Sequence, residues 1–283
     1  MKIVSLVDDI SNDPNFACSH GVSLYIETKK HKIIYDVCQN DLFVENAKKK
    51  NIKLEEIDFA FISHGHYDHG GGLSHFFSIN SKAPVYIHEG FFTPHYNAMP
   101  NGTPPRYIGV DQELKDKYKD RFVYTPESIQ VDDEIFIFSN PKEHNLMAES
   151  NNTLMMQVGA TNKDLELDNF NHEHNLILTI HDSNKKVLVC GCSHRGIVNI
   201  LSSAEEYAKG PIDFVVGGFH LMNPRLKTLE SVDKVNKIAD ELLKREKTIY
   251  YTCHCTGIDA FKVLHEKLKD RIKYFSVGME LQV

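Results

Sequence analysis

The stretch "FISHGHYDHGGGL", residues 61–73, constrains this chain more than any other. It places His64, His66, Asp68 and His69 within six positions, directly after the apolar run "IDFAFIS". A short apolar run of this kind predicts a buried strand. The four side chains then fall on a strand-to-helix loop, with "GGLSHFF" opening the next helix. Neutral imidazoles and a carboxylate suit zinc and other borderline divalent metals. His64 and His66 alternate along an extended segment, so they converge from one face. Asp68 and His69 point into an adjacent volume as the chain turns. One loop thus offers ligands to two neighbouring positions. Gly65 is expected to allow close packing between the two histidines, and Gly70, Gly71 and Gly72 to let the backbone turn tightly. The competing reading, surface histidines with no common partner, is poorly served by such clustering.

The remainder of the composition narrows the class. With 283 residues, 41% of them hydrophobic and 25% charged, the chain can bury a substantial core. It is expected to form a single domain over residues 1–283. The 39 acidic residues against 32 basic ones argue against a nucleic-acid partner, which needs a basic face. No apolar run reaches the roughly 18 residues of a membrane span. The start, "MKIVSLVDDI", is apolar only over residues 3–7 before Asp8 and Asp9, too short for a secretory signal. Six cysteines without a signal then read as reduced thiols in the cytoplasm. Sixteen histidines point toward metal.

Along the chain, strands and helices alternate. "VSLYIET" and "KIIYDVC" read as a hairpin, "DLFVENAKKKNI" as a helix and "PVYIHE" as a strand. Residues 92–107, "FTPHYNAMPNGTPPRY", read as a loop excursion of the kind that covers a site. "EIFIFS" and "TLMMQVG" are strand-like, and "NLILTIHDSNKKVLVCGC" is a hairpin turning at Asp182-Ser183-Asn184. A βαβαβ pattern follows. Its helix "LESVDKVNKIADELLKRE" carries Val232, Val235, Ile238, Ala239 and Leu242 on one face. Two strand-rich halves, each ending in helices, suit a four-layer αββα sandwich of the α/β class.

The order H-x-H-x-D-H after an apolar strand resembles the metallo-β-lactamase superfamily. The resemblance implies the αββα sandwich, with one or two divalent metal ions at the strand ends. It implies that His64 and His66 bind the first metal, that Asp68 and His69 help bind the second, and that Asp68 also orients the attacking water. His254 in "YYTCHCTG" matches the family's C-terminal histidine. Where family members usually carry an aspartate, "KKVLVCGCSHRG" offers Cys192 and His194, with His194 the preferred ligand. The usual middle histidine has His172, Glu173 and His174 as candidates. The motifs "SHGVSLYIE", "SHGHYDHGGGL", "HEHNLIL", "CGCSHRGIVNI", "GGFHL" and "HCTG" resemble, in this order, the branch of dihydropterin-6-methyl-(ribofuranosyl)aminobenzene 5′-phosphate synthase-like proteins.

Substrate contacts are expected from three residues. Arg195 follows His194 and can meet an anion, His220 ends the "GGFHL" strand, and His20 begins a strand at "CSHGVS". The pairs Cys190-x-Cys192 and Cys253-x-Cys255 have one-residue spacing, shorter than paired thiolates in structural zinc sites, and strand alternation accounts for them. With Cys253 and Cys255 on an extended segment, both face away from His254. The function these features imply is a metal-dependent hydrolase using metal-activated water on a phosphoester or related ester of a small, pterin-like molecule. The metal is expected to be zinc, with iron and manganese as alternatives. The rival is a non-hydrolytic pterin-binding or metal-sensing protein on the same fold. The expected partner is a small-molecule substrate, with no nucleic acid and no membrane.

Overall fold

The computed structural model describes residues 1–283 except Pro100, Asn101, Asn140, Glu143, His144, Pro224 and Lys227. Contacts divide the chain into two compact units. The first comprises Met1–Pro126, Asn152–His172 and Ser276–Val283, the second Glu127–Asn151 and Glu173–Phe275.

In the first unit, a seven-stranded sheet runs in the order Glu280–Gln282, Lys2–Val7, Ser23–Glu27, Lys32–Tyr35, Phe59–Phe61, Val85–His88, Phe122–Thr125. The first three pairings are antiparallel and the last three parallel. The expected hairpin sets Leu24 opposite Tyr35 and Glu27 opposite Lys32. The central parallel strand Phe59–Phe61 is buried along its whole length, as a parallel strand covered by helices must be, whereas the edge strand Phe122–Thr125 leaves Val123 and Tyr124 exposed. The helices Leu42–Lys49 and Leu73–Ile79 supply Phe43, Ala47, Leu73 and Phe76 to a core that includes Ile34, Ala60, Ile62 and Val85.

The stretch expected as a loop at 92–107 is instead partly strand. His95–Asn97 and Arg106–Tyr107 pair with each other and, through Leu154–Gln157, with Leu165–Leu167 in a four-stranded sheet. The prolines that suggested a loop lie outside these strands: Pro94 precedes the first, and Pro104 and Pro105 precede the second. Pro100 and Asn101 of that excursion lie outside the described residues.

In the second unit, another seven-stranded sheet runs Ile272–Tyr274, Ile249–Thr252, Phe214–Gly217, Lys185–Val189, His174–Ile180, Ile135–Ser139, Ser128–Gln130. It too has three parallel and three antiparallel pairings. The helices Ile197–Ala208, Val232–Leu243 and Ile258–Leu268 bury Ile200, Ile238, Leu242 and Leu264 against Leu188, Val215 and Tyr250. Val232, expected on the buried face, is exposed. It is the first residue after the Ser231 cap, where the chain is still entering the helix. The strand carrying "TIYYTCHC" stops at Thr252, and His254–Thr256 forms a short 3-10 turn with His254 at φ 48°. The alternation expected of Cys253 and Cys255 therefore does not hold, and His254 and both cysteines are buried together.

Candidate metal centre

In the first unit the cluster begins where the strand Phe59–Phe61 ends. Asp36, at the end of the neighbouring strand and at φ 53°, turns its carboxylate toward the loop. The Ser63 N–H donates to Asp36 Oδ1 at 2.7 Å and the Ser63 hydroxyl donates to Oδ2 at 2.8 Å. His69 Nδ1 donates to the same Oδ2 at 2.6 Å. Ser63 Oγ, its proton committed to Asp36, accepts from His64 Nδ1 at 2.9 Å. This network assigns the tautomers: His64 and His69 carry their protons on Nδ1, and their Nε2 atoms present lone pairs. His64 Nε2 lies 3.0 Å from His66 Nδ1. Two ligands at about 2.0–2.1 Å from one tetrahedral ion stand a little over 3 Å apart, so this pair already has the spacing a dication requires.

Asp68 and His69 sit in the short helical turn Tyr67–Gly70. Asp68 Oδ2 lies 3.2 Å from His20 Nε2, and the other ring nitrogen of His20 lies 2.9 Å from Asp9. The strand-leading segment at His20 is held there because Gly21, at φ 133°, passes so close that a Cβ would fall 2.4 Å from the Asp68 carbonyl. The three glycines after His69 work through space rather than through unusual dihedrals. Gly71 and Gly72 have φ −63° and −77°, yet a Cβ on either would strike backbone oxygens.

A second group of donors joins His66, bringing together the candidate middle histidine His172 with His95 and Asp168, which the sequence did not single out. One ligand atom each from His66, His95, Asp168 and His172 lies within 4.8 Å of the others, all four residues buried. The Gly65 N–H donates to His172 Nδ1 at 3.0 Å, and His172 Nε2 donates to Asp168 Oδ2 at 3.2 Å. His95 Nδ1 donates to the same oxygen at 2.9 Å, leaving the buried His95 Nε2 with a lone pair and no hydrogen-bond partner. Burial, with His172 adding, holds His95 down to about 4, and burial with His95 and His172 holds His66 well below the ordinary imidazole range. Burial alone would raise Asp168, but the His172 and His95 rings more than reverse this and keep it a carboxylate. A neutral imidazole whose other nitrogen is tied to an ionised carboxylate is the arrangement of a metal-binding histidine, so His95, through Nε2, fits such an ion, whereas both nitrogens of His172 are already committed.

In the second unit, Glu173 is no ligand. Its two oxygens accept the N–H groups of His194 at 2.7 Å and Arg195 at 3.0 Å. His174 belongs to none of the donor groups found among the described residues. His194 Nδ1 donates to Asn151 Oδ1 at 3.1 Å, and the Asn151 amide returns a bond to the His194 carbonyl at 2.8 Å. His194 thus also presents Nε2. Its ring lies 4.1 Å, centroid to centroid, from that of His220. Arg195 is buried rather than on the surface, and burial lowers its pKa against the pull of Glu173. His220 sits beyond the end of its strand, at φ 47°. The Cys255 thiol points at the Cys192 carbonyl, 3.5 Å away. Burial would raise this thiol, but Cys192, His220 and His254 together draw it well below its usual value.

The sequence reasoning missed Asp36, His95, Asp168 and Asn151. Asp36, His95 and Asn151 meet their partners only across long stretches of chain, whereas Asp168 lies four residues before His172 and was overlooked as a carboxylate in a polar loop.

Two mixed sheets with helices, bearing clustered histidines and aspartates at strand ends, define an α/β scaffold of the metal-binding kind. The model of the metallo-beta-lactamase superfamily matches residues 18–141. The uncharacterized protein MJ0448 of Methanocaldococcus jannaschii is 31% identical over 268 residues, covering 92% of this chain and 93% of that one. The 7,8-dihydropterin-6-methyl-4-(beta-D-ribofuranosyl)-aminobenzene-5′-phosphate synthase of the same organism is 27% identical over 98% of this chain and 95% of its own. Among solved structures, Tm1679, a metal-dependent hydrolase of the beta-lactamase superfamily, superposes with a TM-score of 0.79 at 28% identity, covering 100% of this chain and 99% of that one. The chain belongs to the metallo-beta-lactamase superfamily, and its fold is the α/β sandwich expected from the sequence.

Proposed function

We propose that the protein is a metal-dependent hydrolase of a small phosphorylated molecule, with zinc as its metal. The observation that carries this reading is the tautomer network of the first unit: Asp36 and Ser63 fix His64 and His69 with Nε2 lone pairs presented. Such second-layer carboxylates orient metal-binding imidazoles and raise their basicity. His64, His66, Asp68 and His69 are the proposed metal-binding residues of the first unit, and His194 and His254 those of the second. A bound dication supplies Lewis acidity, making water a nucleophile near neutral pH and offsetting charge on substrate oxygens.

The chain's own groups do the rest. Asp68, paired with His20, holds a carboxylate where it can orient water and take up its proton. His20 shuttles that proton between Asp68 and Asp9, at 3.2 and 2.9 Å. Arg195 and His220 are the proposed contacts for substrate anions. The name of the synthase relative, with its pterin and 5′-phosphate, supports a phosphorylated heterocycle as the substrate class.

The test is hydrolysis of bis(4-nitrophenyl) phosphate by freshly purified protein. Activity is expected to vanish on chelation and to return with added zinc. Full activity after verified metal removal overturns the proposal, as does zinc-loaded protein inert toward phosphomonoesters, phosphodiesters and carboxylic esters alike.

A further inference from the structure

The second unit carries a group of donors of a different chemical character. A ligand atom from each of Cys192, His220 and Cys255 lies within 4.8 Å of the other two, and all three residues are buried. Neither ring nitrogen of His220 has a hydrogen-bond partner. A buried imidazole with both nitrogens unsatisfied costs free energy, and a native structure keeps such a group for a reason. His220 is also held at φ 47°, a conformation that residues other than glycine adopt rarely.

The local backbone is shaped around the sulfur. A Cβ at Gly218 would stand 2.5 Å from Cys255 Sγ, so the chain forgoes a side chain where that atom approaches. Two bonds fix the two segments to each other. The Phe219 N–H donates to Thr256 Oγ1 at 2.9 Å, and the Leu221 N–H donates to the Cys255 carbonyl at 3.0 Å. His220 lies between these anchors, so its ring is fixed relative to Cys255. On the other side, the Ser193 hydroxyl donates to the Gly218 carbonyl at 2.7 Å and ties the Cys192 segment to the same turn.

We propose that Cys192, His220 and Cys255 form a thiophilic metal site, two sulfurs and one imidazole nitrogen, that takes zinc in preference to magnesium or manganese. Soft thiolates select such ions, whereas hard oxygen-preferring cations reject them. Three protein ligands with a fourth position open to water or substrate is the ligand count of a catalytic rather than a structural zinc. The assignment gives His220 a metal-binding role in place of the substrate contact proposed above. It also recruits Cys255, which the imidazole-and-carboxylate motif of the first unit does not include.

The test uses the full-length protein, stripped of metal and reloaded with Co(II). A thiolate-to-Co(II) charge-transfer band in the near ultraviolet is expected. It should be lost in Cys255→Ser, weakened in His220→Ala and retained in Cys18→Ser, which removes only an exposed thiol. Zinc-loaded wild-type protein, examined by X-ray absorption, should show two sulfur neighbours at about 2.3 Å. Absence of the band and of sulfur scattering in the wild type overturns the site without recourse to any variant. A band that disappears in Cys192→Ser but persists unchanged in a folded Cys255→Ser also overturns it, because the thiolate then serves other ligands. Neither readout depends on turnover, so loss of the hydrolase reading would leave this result standing.

Discussion

Asp36 Oδ2 stands 2.6 Å from His69 Nδ1, and neither side chain is exposed to solvent. The same carboxylate accepts both the N–H and the hydroxyl of Ser63. Its effect is to fix which nitrogen of His69 carries the proton. Asp36→Asn keeps the shape but turns an amide N–H₂ or a single carbonyl oxygen toward three donors. At least one buried donor is then left unsatisfied, at about 1–3 kcal/mol. Zinc affinity should fall about 10–100-fold, as it does when outer carboxylates are removed from histidine sites. Competition against a chromophoric chelator and urea denaturation measure the two effects. Unchanged affinity would show that Asp36 does not orient a ligand.

Metal should also be worth stability. The histidines of the first unit are buried and mutually close, with His64 Nε2 at 3.0 Å from His66 Nδ1. An ion that binds the folded chain and not the unfolded one stabilises by mass action, about 2.7 kcal/mol at a free concentration 100 times Kd. Stripped protein should therefore melt lower than protein in excess zinc, with the midpoint rising as zinc is added. Magnesium at the same concentration should leave it in place. A midpoint insensitive to zinc would mean that the cluster binds no ion.

The thiols should react in an order set by exposure and burial. Cys18 is exposed, while Cys38 and Cys190 are buried. Burial pushes the Cys38 thiol up to about 11 and the Cys190 thiol up to about 12. The thiolate is the reactive form, so neither nucleophile exists in quantity at pH 8. Timed alkylation of native protein, read by peptide mass spectrometry, should modify Cys18 first and leave Cys38 and Cys190 unlabelled until the chain unfolds. Early labelling of Cys38 would indicate local opening of the first core.

What the sequence made legible follows from distance along the chain. The H-x-H-x-D-H loop, the two hairpins and the helices of the second half are local patterns, and the structure repeats them nearly residue for residue. His95 was hidden because prolines 94, 100, 104 and 105 made its surroundings read as loop, although the short strand needs only three residues clear of proline. Asp168 and His172 lie about 70 residues or more from His95, and nothing in their spacing announces that one carboxylate serves both rings. Glu173 looked like a ligand by residue type alone. The structure commits its two oxygens to backbone N–H groups, a role that composition cannot distinguish from coordination.

Glu56 supplies a pH dependence. Hydrogen bonds from Lys32 and Lys53, with the charges of both lysines, hold its carboxyl at about 2, below the ordinary 4.5. A carboxylate with a depressed folded pKa contributes stability that is present above its unfolded value and lost as pH falls through the folded one. The window is therefore between about pH 4.5 and 2. All three groups are at the surface, so salt screens the interaction and the effect is small. Glu56→Gln should melt slightly below wild type at pH 7 in low salt. The two should converge at pH 2 and also at 1 M salt. A gap that persists unchanged in high salt would point to packing instead of charge.

The glycines after His69 offer a sharper contrast. Gly72 has φ −77° and ψ 1°, a conformation open to residues other than glycine, so alanine would suit its backbone and, by restricting the unfolded chain, should stabilise by roughly 0.4–1 kcal/mol. Space reverses the sign. A Cβ there would lie 2.1 Å from the Val37 carbonyl oxygen and 2.7 Å from that of Asn40. Both obstacles are backbone, and neither can swing aside as a side-chain tip would. The Gly72 N–H also donates to the Cys38 carbonyl at 3.0 Å, so moving the segment away sacrifices a bond. Overpacking of this kind costs about 1–3 kcal/mol. Because Gly72 follows the ligand loop by three residues, the displacement should reach His69 and weaken zinc binding as well. Gly210 is the control: it has no positive φ and a Cβ there meets nothing within 4 Å. Gly210→Ala should be neutral or slightly stabilising in urea denaturation and leave zinc affinity unaltered, whereas Gly72→Ala should lose both stability and affinity. Equal behaviour of the two variants would mean that the close approach at Gly72 relaxes without cost and that the ligand loop does not depend on it.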